Sequence, residues 1–481
     1  MNNKSNLVSA LTNNNVLTEN NMPTNSTSDS FNLDFFFMAG AMRTESEHRI
    51  ISKFTSAYGE DSNIAMKLLF WARDIRGGAG ERRLFRIIIK YLSNNITYYE
   101  SILKNLKYIF EYGRWNDLIY LFKETHNSKI KKEIINLIKN ALAQKNQLCA
   151  KWMPRKGYTA KKIRMALELS PKQYRKTLVE LSKNVVENKM CSNKWEDIDY
   201  ECVPSLAMSR YKNSFMKHDK EGFNKYVKSL FEGKKKINTS AIYPHDVIIS
   251  LENSTENSRN LSIEQWKNLP NWIPENNYKI LPVVDVSGSM YFQISKSLRA
   301  IDISLSLGLY FSEKNLGKFK DTFMTFSEKP EIQILSGDNI YSKMFQLKSA
   351  HWSYNTDIEQ VFSVLLNKAK EYNISQDDMP NYIMIISDME FDEACNNPNS
   401  NVFEMIEKEY TESNYKVPTI IFWNVMSRQD NVPIKKDKNG VILISGFSPS
   451  ILSYILEGNV FNPIKGMLSV VNSERYENIQ S

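Results

Sequence analysis

Leu281-Pro282-Val283-Val284-Asp285-Val286-Ser287-Gly288-Ser289-Met290 is an apolar run that ends in Asp-x-Ser-Gly-Ser. A short Val/Ile/Leu run of this kind is the pattern of a buried parallel strand. Open α/β sheets place their ligands just past the carboxyl ends of such strands, which is where Asp285, Ser287 and Ser289 fall. One carboxylate and two hydroxyls within five residues are hard oxygen donors, and Gly288 is expected to let the loop curl so that all three point inward. Donors without a thiol or imidazole suit Mg²⁺, with Mn²⁺ or Ca²⁺ as alternatives, rather than Zn²⁺.

Ser, Gly and Asp also make ordinary turns, so the reading depends on further donors downstream. Asn381-Tyr-Ile-Met-Ile-Ile-Ser387-Asp388 is a second buried-strand pattern, and it ends in Asp388. His351-Trp-Ser-Tyr-Asn-Thr356-Asp357 is a polar loop that leads into a helical pattern at Ile358, Val361, Phe362, Leu365 and Leu366. The set Asp285, Ser287, Ser289, Thr356 and Asp388 resembles the metal-ion-dependent adhesion site of von Willebrand factor type A domains, over residues 278 to 481. Mg²⁺ takes about six oxygens and tends to keep water. Such a site therefore leaves room for an acidic group from a protein partner, and the motif itself supplies no nucleophile or general base.

The 481 residues are 42% hydrophobic and 24% charged, an ordinary globular composition with length for two to four domains. No apolar run reaches membrane-span length and the Asn-rich start lacks the order of a signal peptide, so the expected location is cytoplasmic. Four cysteines, Cys149, Cys191, Cys202 and Cys395, form no Cys-x-x-Cys pair and fit neither a disulfide framework nor a zinc site. The five histidines, His48, His126, His218, His245 and His351, are scattered without an evident Ser or Cys partner, so no catalytic residues are assigned and the protein is read as a non-enzyme.

Residues 1 to 32 are rich in Asn, Ser and Thr and are expected to form a disordered tail. From residue 33 to 250 the pattern is helical. Ile64, Leu68, Trp71 and Ala72 line one face before Arg76-Gly-Gly-Ala-Gly80, and Leu84, Phe85, Ile88, Ile89 and Leu92 begin the next. Ile102, Leu106, Ile109 and Phe110, then Trp115, Leu118, Ile119, Leu121 and Phe122, repeat the layout after Gly113. The spacing of Leu84-Phe85 from Leu121-Phe122 is near the period of stacked helical hairpins, so a HEAT-like repeat domain is expected. The Gly-Gly-Ala-Gly stretch follows a helix and lacks a Lys-Ser/Thr ending, which makes it a helix-to-helix turn rather than a phosphate cradle. Residues 251 to 277 are read as a linker. Residues 278 to 481 are read as a doubly wound, Rossmann-like domain, with a helix over Ile294 to Tyr310 and strands at Thr322–Phe326, Glu331–Leu335, Asn381–Asp388, Pro418–Val425 and Val441–Ser445. The fold class is thus α + α/β.

The net charge of +8 is unevenly placed. Lys151, Arg155, Lys156, Lys161, Lys162, Arg164, Lys172, Arg175 and Lys176 stand against the single acid Glu168, with Trp152, Tyr158 and Tyr174 interleaved. Basic side chains neutralise phosphates and aromatic rings stack on unpaired bases, a composition that suits single-stranded nucleic acid. A solvated helical face with its aromatics in the core is the other reading.

A helical-repeat half joined to a type A domain resembles the Ro autoantigen (TROVE) architecture. The likeness is closer to a family of uncharacterised proteins with the same layout, whose hallmarks stand here as Phe70-Trp71-Ala-Arg73-Asp74-Ile-Arg76-Gly77-Gly78-x-Gly80-Glu81-Arg82, Tyr112-Gly113-x-Trp115-x-Asp117-Leu118, Tyr174-Arg175-Lys176, Asp285-Val-Ser-Gly-Ser-Met290 and Ser387-Asp388-Met389-x-Phe391-Asp392. The Ro resemblance implies a ribonucleoprotein component whose ring of repeats holds single-stranded or structured RNA. The expected function is an RNA-binding scaffold whose metal site recruits an acidic partner. The alternative is a protein-interaction adaptor that acts through the metal site without binding RNA.

Overall fold

The apolar runs of the C-terminal half form strands and the 3.6-period segments before them form helices, in a computed structural model that describes residues 15–239, 241–274, 278–326, 330–349, 357–392, 402–457 and 461–481. The chain is α + α/β. It divides into an α/β unit, residues 1–46, 55–61 and 271–473, and a helical unit, residues 47–54, 62–270 and 474–481.

The described strands are β1 (Asn15–Leu17), β2 (Pro23–Asn25), β3 (Ile280–Val284), β4 (Gln293–Ser295), β5 (Leu298–Arg299), β6 (Thr322–Thr325), β7 (Ile332–Ile334), β8 (Tyr382–Ser387), β9 (Thr419–Asn424) and β10 (Val441–Ser445). Six of them form a mixed sheet in the order β10-β9-β8-β3-β6-β7. All its pairings are parallel except β6 with β7 at the edge. Every residue of β3 and β8 is buried, as central strands covered on both faces require. The helix Ala300–Lys314 packs so closely on β3 that a side chain at Gly308 would meet Val284 Cγ2 at 2.4 Å. The register Val284↔Ile386 sets the carboxyl ends of β3 and β8 side by side, and so positions the loops that follow them.

Several expectations are corrected. The helix expected from Ile294 starts at Ala300, because Gln293–Arg299 forms the β4–β5 hairpin and Asp302 turns back to accept from the Arg299 amide at 2.9 Å, setting the helix start there. Residues 15 to 32, expected as tail, form the β1–β2 hairpin and the start of the helix Phe31–Ala39, in which Leu33, Phe35, Phe36 and Phe37 are all fully buried. This segment is bonded into the α/β unit: Asn25 and Val432 exchange backbone hydrogen bonds of 3.2 and 2.7 Å, and the Ser445 hydroxyl donates to Phe36 O at 2.6 Å. Polar composition hid it, because its hydrogen bonds are made to residues some four hundred positions away. The linker expected over 251 to 277 holds the helix Glu256–Lys267, with Trp266 buried in the helical unit.

In the helical unit, Phe70, Leu84, Phe85, Leu121 and Phe122 are all buried, the last four on the helices Arg82–Asn94 and Trp115–Glu124. Arg76 to Gly80 lies between the helices Ser62–Arg73 and Arg82–Asn94. Its tight path brings the Gly80 amide to Asp74 O at 3.1 Å, and a side chain at Gly78 would meet Trp71 O at 2.0 Å. A second core gathers Tyr200, Met208, Phe215, Phe223 and Tyr226. Residues 474–481 return to this unit, where Tyr476 is fully buried and donates to the Asp74 carboxylate at 3.0 Å.

Among the described residues no helix is long and apolar enough to cross a membrane.

Candidate functional site

Asp285 and Asp388 leave adjacent parallel strands at the same sheet edge and both are buried. The Asp285 carboxylate accepts from the Ser287 amide at 2.9 Å and from the Ser387 hydroxyl at 2.5 Å. The Ser287 and Ser289 hydroxyls lie 3.0 Å apart, and the Ser289 side chain hydrogen-bonds Asp388. Ser304, on the Ala300–Lys314 helix, donates to Asp285 O and Ile386 O at 3.1 Å each, pinning the two strand ends together. Asp285, Ser287, Ser289 and Asp388 therefore converge. Thr356 lies outside the described residues.

Gly288 does not act as expected. Its φ is outside the left-handed region and a side chain there would meet nothing within 4 Å, so the loop does not need a glycine to curl. The residue that carries backbone strain is Met389, buried at φ 67° directly after Asp388.

Burial raises the Asp285 carboxyl well above the usual carboxylate range, and the Asp388 charge adds to it. Burial likewise raises Asp388, opposed by the Arg428 guanidinium. Two adjacent buried carboxylates, both raised by burial and one raised further by the other's charge, form a site that a cation would relieve. With the serine hydroxyls they fit a small hard cation. Among the described residues no group of three or more His, Cys, Asp and Glu side chains of metal-holding arrangement occurs, so any ion here would rest on two carboxylates and hydroxyls.

Sequence reasoning missed three neighbours. Arg428 donates to Asp388 Oδ2 at 3.0 Å and pairs with Glu19 at 2.8 Å, and its guanidinium stands over the Phe292 ring. Glu390 is buried and its carboxylate accepts from the Glu19 amide at 2.8 Å. Arg428 follows the carboxyl end of β9, the strand next to β8, so the strand-end rule could have found it. Glu19 carried no signal.

The basic stretch occupies the helices Gln147–Trp152, Gly157–Ala166 and Pro171–Ser182 of the helical unit. Three of its nine cations serve the fold: Lys151 pairs with Glu187 at 2.8 Å, Arg155 donates to Ser182 Oγ at 3.0 Å, and Arg164 donates to Leu169 O at 2.7 Å. Lys156, Lys161, Lys162, Lys172, Arg175 and Lys176 are exposed. Tyr158 is 71% exposed with the Lys162 ammonium 4.7 Å from its ring centre, whereas Tyr174 is buried and donates to Pro154 O at 3.1 Å. Of the interleaved aromatics, then, Tyr158 is presented to solvent, Trp152 is half-buried and Tyr174 belongs to the core.

With this geometry in hand, comparison with known proteins places the chain. A crystal structure of the Deinococcus radiodurans RO (RSR) protein is similar with a TM-score of 0.51 at 11% identity, covering 90% of this chain and 100% of that one, which is a likeness of fold. "Uncharacterized protein L728" of Acanthamoeba polyphaga mimivirus is 30% identical over 507 aligned positions, covering 94% of this chain and 86% of that protein. Residues 279–480 match a domain of unknown function, DUF7788. Residues 18–161 and 134–276, together more than half of the sequence, match a second domain of unknown function, DUF2828, and the chain belongs to that family.

Proposed function

We propose that the protein is an RNA-binding scaffold of Ro type, with the helical unit holding RNA and the α/β unit recruiting a partner through a divalent ion. The observation that carries the reading is the exposure of Lys156, Lys161, Lys162, Lys172, Arg175 and Lys176, on and just before the helices Gly157–Ala166 and Pro171–Ser182, together with the exposed ring of Tyr158. Lys161, Lys172, Arg175 and Lys176 have no acidic partner among the described residues, so their charge is open to phosphates. The Ro-like fold and the Ro resemblance of the sequence support the same reading. In the test, a fluorescent single-stranded RNA is titrated across salt concentrations. Log affinity is expected to fall with log salt by about 0.7 per phosphate contact. Lys161→Glu, Lys162→Glu and Lys172→Glu together should weaken binding and flatten that slope. Unchanged affinity and slope would leave the face as solvated surface.

The α/β unit is read as a von Willebrand factor type A domain, in which Asp285, Ser287, Ser289, Asp388 and Thr356 would hold Mg²⁺. Bound there, the ion would accept a carboxylate from a protein partner. What supports this is the pair of buried carboxylates at adjacent strand ends with serine hydroxyls between them. The same pair favours the second reading, an adaptor that needs no RNA. Asp285→Ala is expected to abolish ion-dependent thermal stabilisation while RNA binding persists. A variant that Mg²⁺ and Mn²⁺ stabilise as much as the parent would remove the metal from both readings.

A further inference from the structure

Three segments of the α/β unit meet at the guanidinium of Arg428. The residue follows the carboxyl end of β9, and the Ser427 amide beside it donates to Ala41 O at 3.1 Å, so its backbone is held. Its Nη2 donates to Asp388 Oδ2 at 3.0 Å and pairs with Glu19 Oε2 at 2.8 Å. The Phe292 ring centre lies 4.8 Å from its Cζ, three residues past Ser289, whose side chain also hydrogen-bonds Asp388. One nitrogen is thus shared by two carboxylates of different exposure: the Asp388 side chain is fully buried, whereas that of Glu19 is 37% exposed.

A nitrogen shared in this way holds each carboxylate less firmly than the two parallel bonds of a bidentate pair would. The Asp388 contact can be given up while the Glu19 contact remains. The reason to give it up is electrostatic. A guanidinium supplies Asp388 with the same counter-charge that a divalent ion would supply, and two cations on one carboxylate repel each other. An ion held by Asp285 and Asp388 must therefore displace the Arg428 charge or bind weakly beside it. Leaving a guanidinium buried and unpaired would be costly. Glu19 removes that cost, since it already holds the same nitrogen.

We propose that Arg428 is a built-in competitor of the divalent ion at this site, and that Glu19 keeps its guanidinium when the ion takes Asp388. The inference rests on the metal reading of Asp285, Ser287, Ser289 and Asp388, and adds a means of regulating that site. Glu19 lies between β1 and β2, where Thr18 Oγ1 donates to Phe391 O at 2.6 Å and the Glu19 amide donates to the Glu390 carboxylate at 2.8 Å. Whatever pulls this segment away takes Glu19 with it, leaves Arg428 on Asp388 alone and weakens the hold on the ion.

The test titrates Mg²⁺ into the full chain by isothermal calorimetry, beside thermal shifts with Mg²⁺ and with chelator. The variants are Arg428→Gln, Glu19→Gln and the two combined. Arg428→Gln should tighten Mg²⁺ by at least about tenfold, because a unit charge close to a divalent ion is removed. Glu19→Gln should weaken Mg²⁺ in the parent but change it by less than about twofold in the Arg428→Gln background, since Glu19 acts through Arg428 and such a pair is not additive. Mg²⁺ binding by Arg428→Gln where the parent shows none would support the competition as well. Equal or weaker binding by Arg428→Gln, with the parent still binding, would overturn the competition and leave the metal reading standing. The same loss from Glu19→Gln in both backgrounds would overturn the role given to Glu19. No binding by parent or any variant would remove the metal reading and this inference with it. Should Arg428→Gln not fold, Glu19→Gln alone decides: a weakening that persists at high salt supports the proposal, and an unchanged affinity, or a weakening that salt screens away, overturns it.

Discussion

At the scale of single residues, the helical unit hides a charge that its fold tolerates only through hydrogen bonds. Lys212 is 3% exposed and has no carboxylate partner among the described residues; its ammonium donates to Ser250 O and Ser250 Oγ at 2.8 Å and to Ser262 Oγ at 2.9 Å. Burial lowers its pKa to about 8, against about 10.4 for a lysine in an unfolded chain. Between those values the unfolded state binds more protons than the folded one, so stability rises as pH rises. Below that window both states are protonated and the penalty of the buried charge is constant. The Lys212 contribution to the urea midpoint of the helical unit should therefore climb from about pH 8 to pH 10, against the opposite slope of Cys149, whose thiol burial pushes up to about 12. Lys212→Met should remove the part of that climb owed to this group. A parent and variant with the same pH dependence would mean that the folded protein holds Lys212 near its unfolded affinity for protons. The sequence offered no hint of this residue, because a lysine within a run rich in lysine looks like surface until the helices close over it.

At the scale of elements, the segment around β1 and β2 ties the loops past β8 and β9 together. Thr18 Oγ1 donates to Phe391 O at 2.6 Å, Asn20 donates to Glu390 O at 2.8 Å, and the Lys436 amide donates to Ser28 O at 2.9 Å. Because Glu390 and Arg428 flank Asp388, this strap borders the candidate metal centre. Deleting residues 1–29 should speed hydrogen exchange at the Val432 and Lys436 amides by at least tenfold, since both lose their acceptors, while amides of β3 and β8 stay protected. Mass spectrometry of peptides covering 430–438 would read the change. Unaltered exchange there would show that the loops hold their shape without the strap. The strands of the main sheet were legible because a central parallel strand is apolar on both faces. The strap was not, since a hairpin of Asn, Thr and Pro has no pattern of its own and is fixed by what it bonds to.

On the scale of the whole molecule, neither unit is one continuous stretch. The α/β unit needs the helix Phe31–Ala39, whose Asn32, Leu33 and Phe35 to Met38 are all buried, and the helical unit needs Arg475 and Tyr476 on Asp74. Cutting the chain at the boundaries expected from composition should therefore fail in both halves. A fragment of 278–481 would expose the surface that the Phe31–Ala39 helix covers, and a fragment of 33–250 would leave Asp74 buried without its arginine, a loss on the order of 3 kcal/mol or more. Both fragments are expected to aggregate or melt well below the parent in calorimetry. Ending the full chain at Ser473 should lower only the transition of the helical unit. A fragment of 278–481 with the parent's melting temperature would show that the N-terminal helix adds nothing to that unit.

The sequence by itself determined the α + α/β order, the strands of the sheet, and the placing of Asp285 and Asp388 at strand ends, because strand periodicity and strand-end polarity are local properties. It also marked the cations at 151–176, though not which of them would be spent on Glu187, Ser182 and Leu169. Only the tertiary structure decided which unit the segments 15–46 and 474–481 join, which of the three aromatics faces solvent, that Arg428 lies on Asp388, and that Arg73, Arg86 and Arg114 share Asp117. Each of these depends on a buried charge or hydrogen bond whose partner lies far along the chain, and the desolvation that fixes it exists only once the chain has closed.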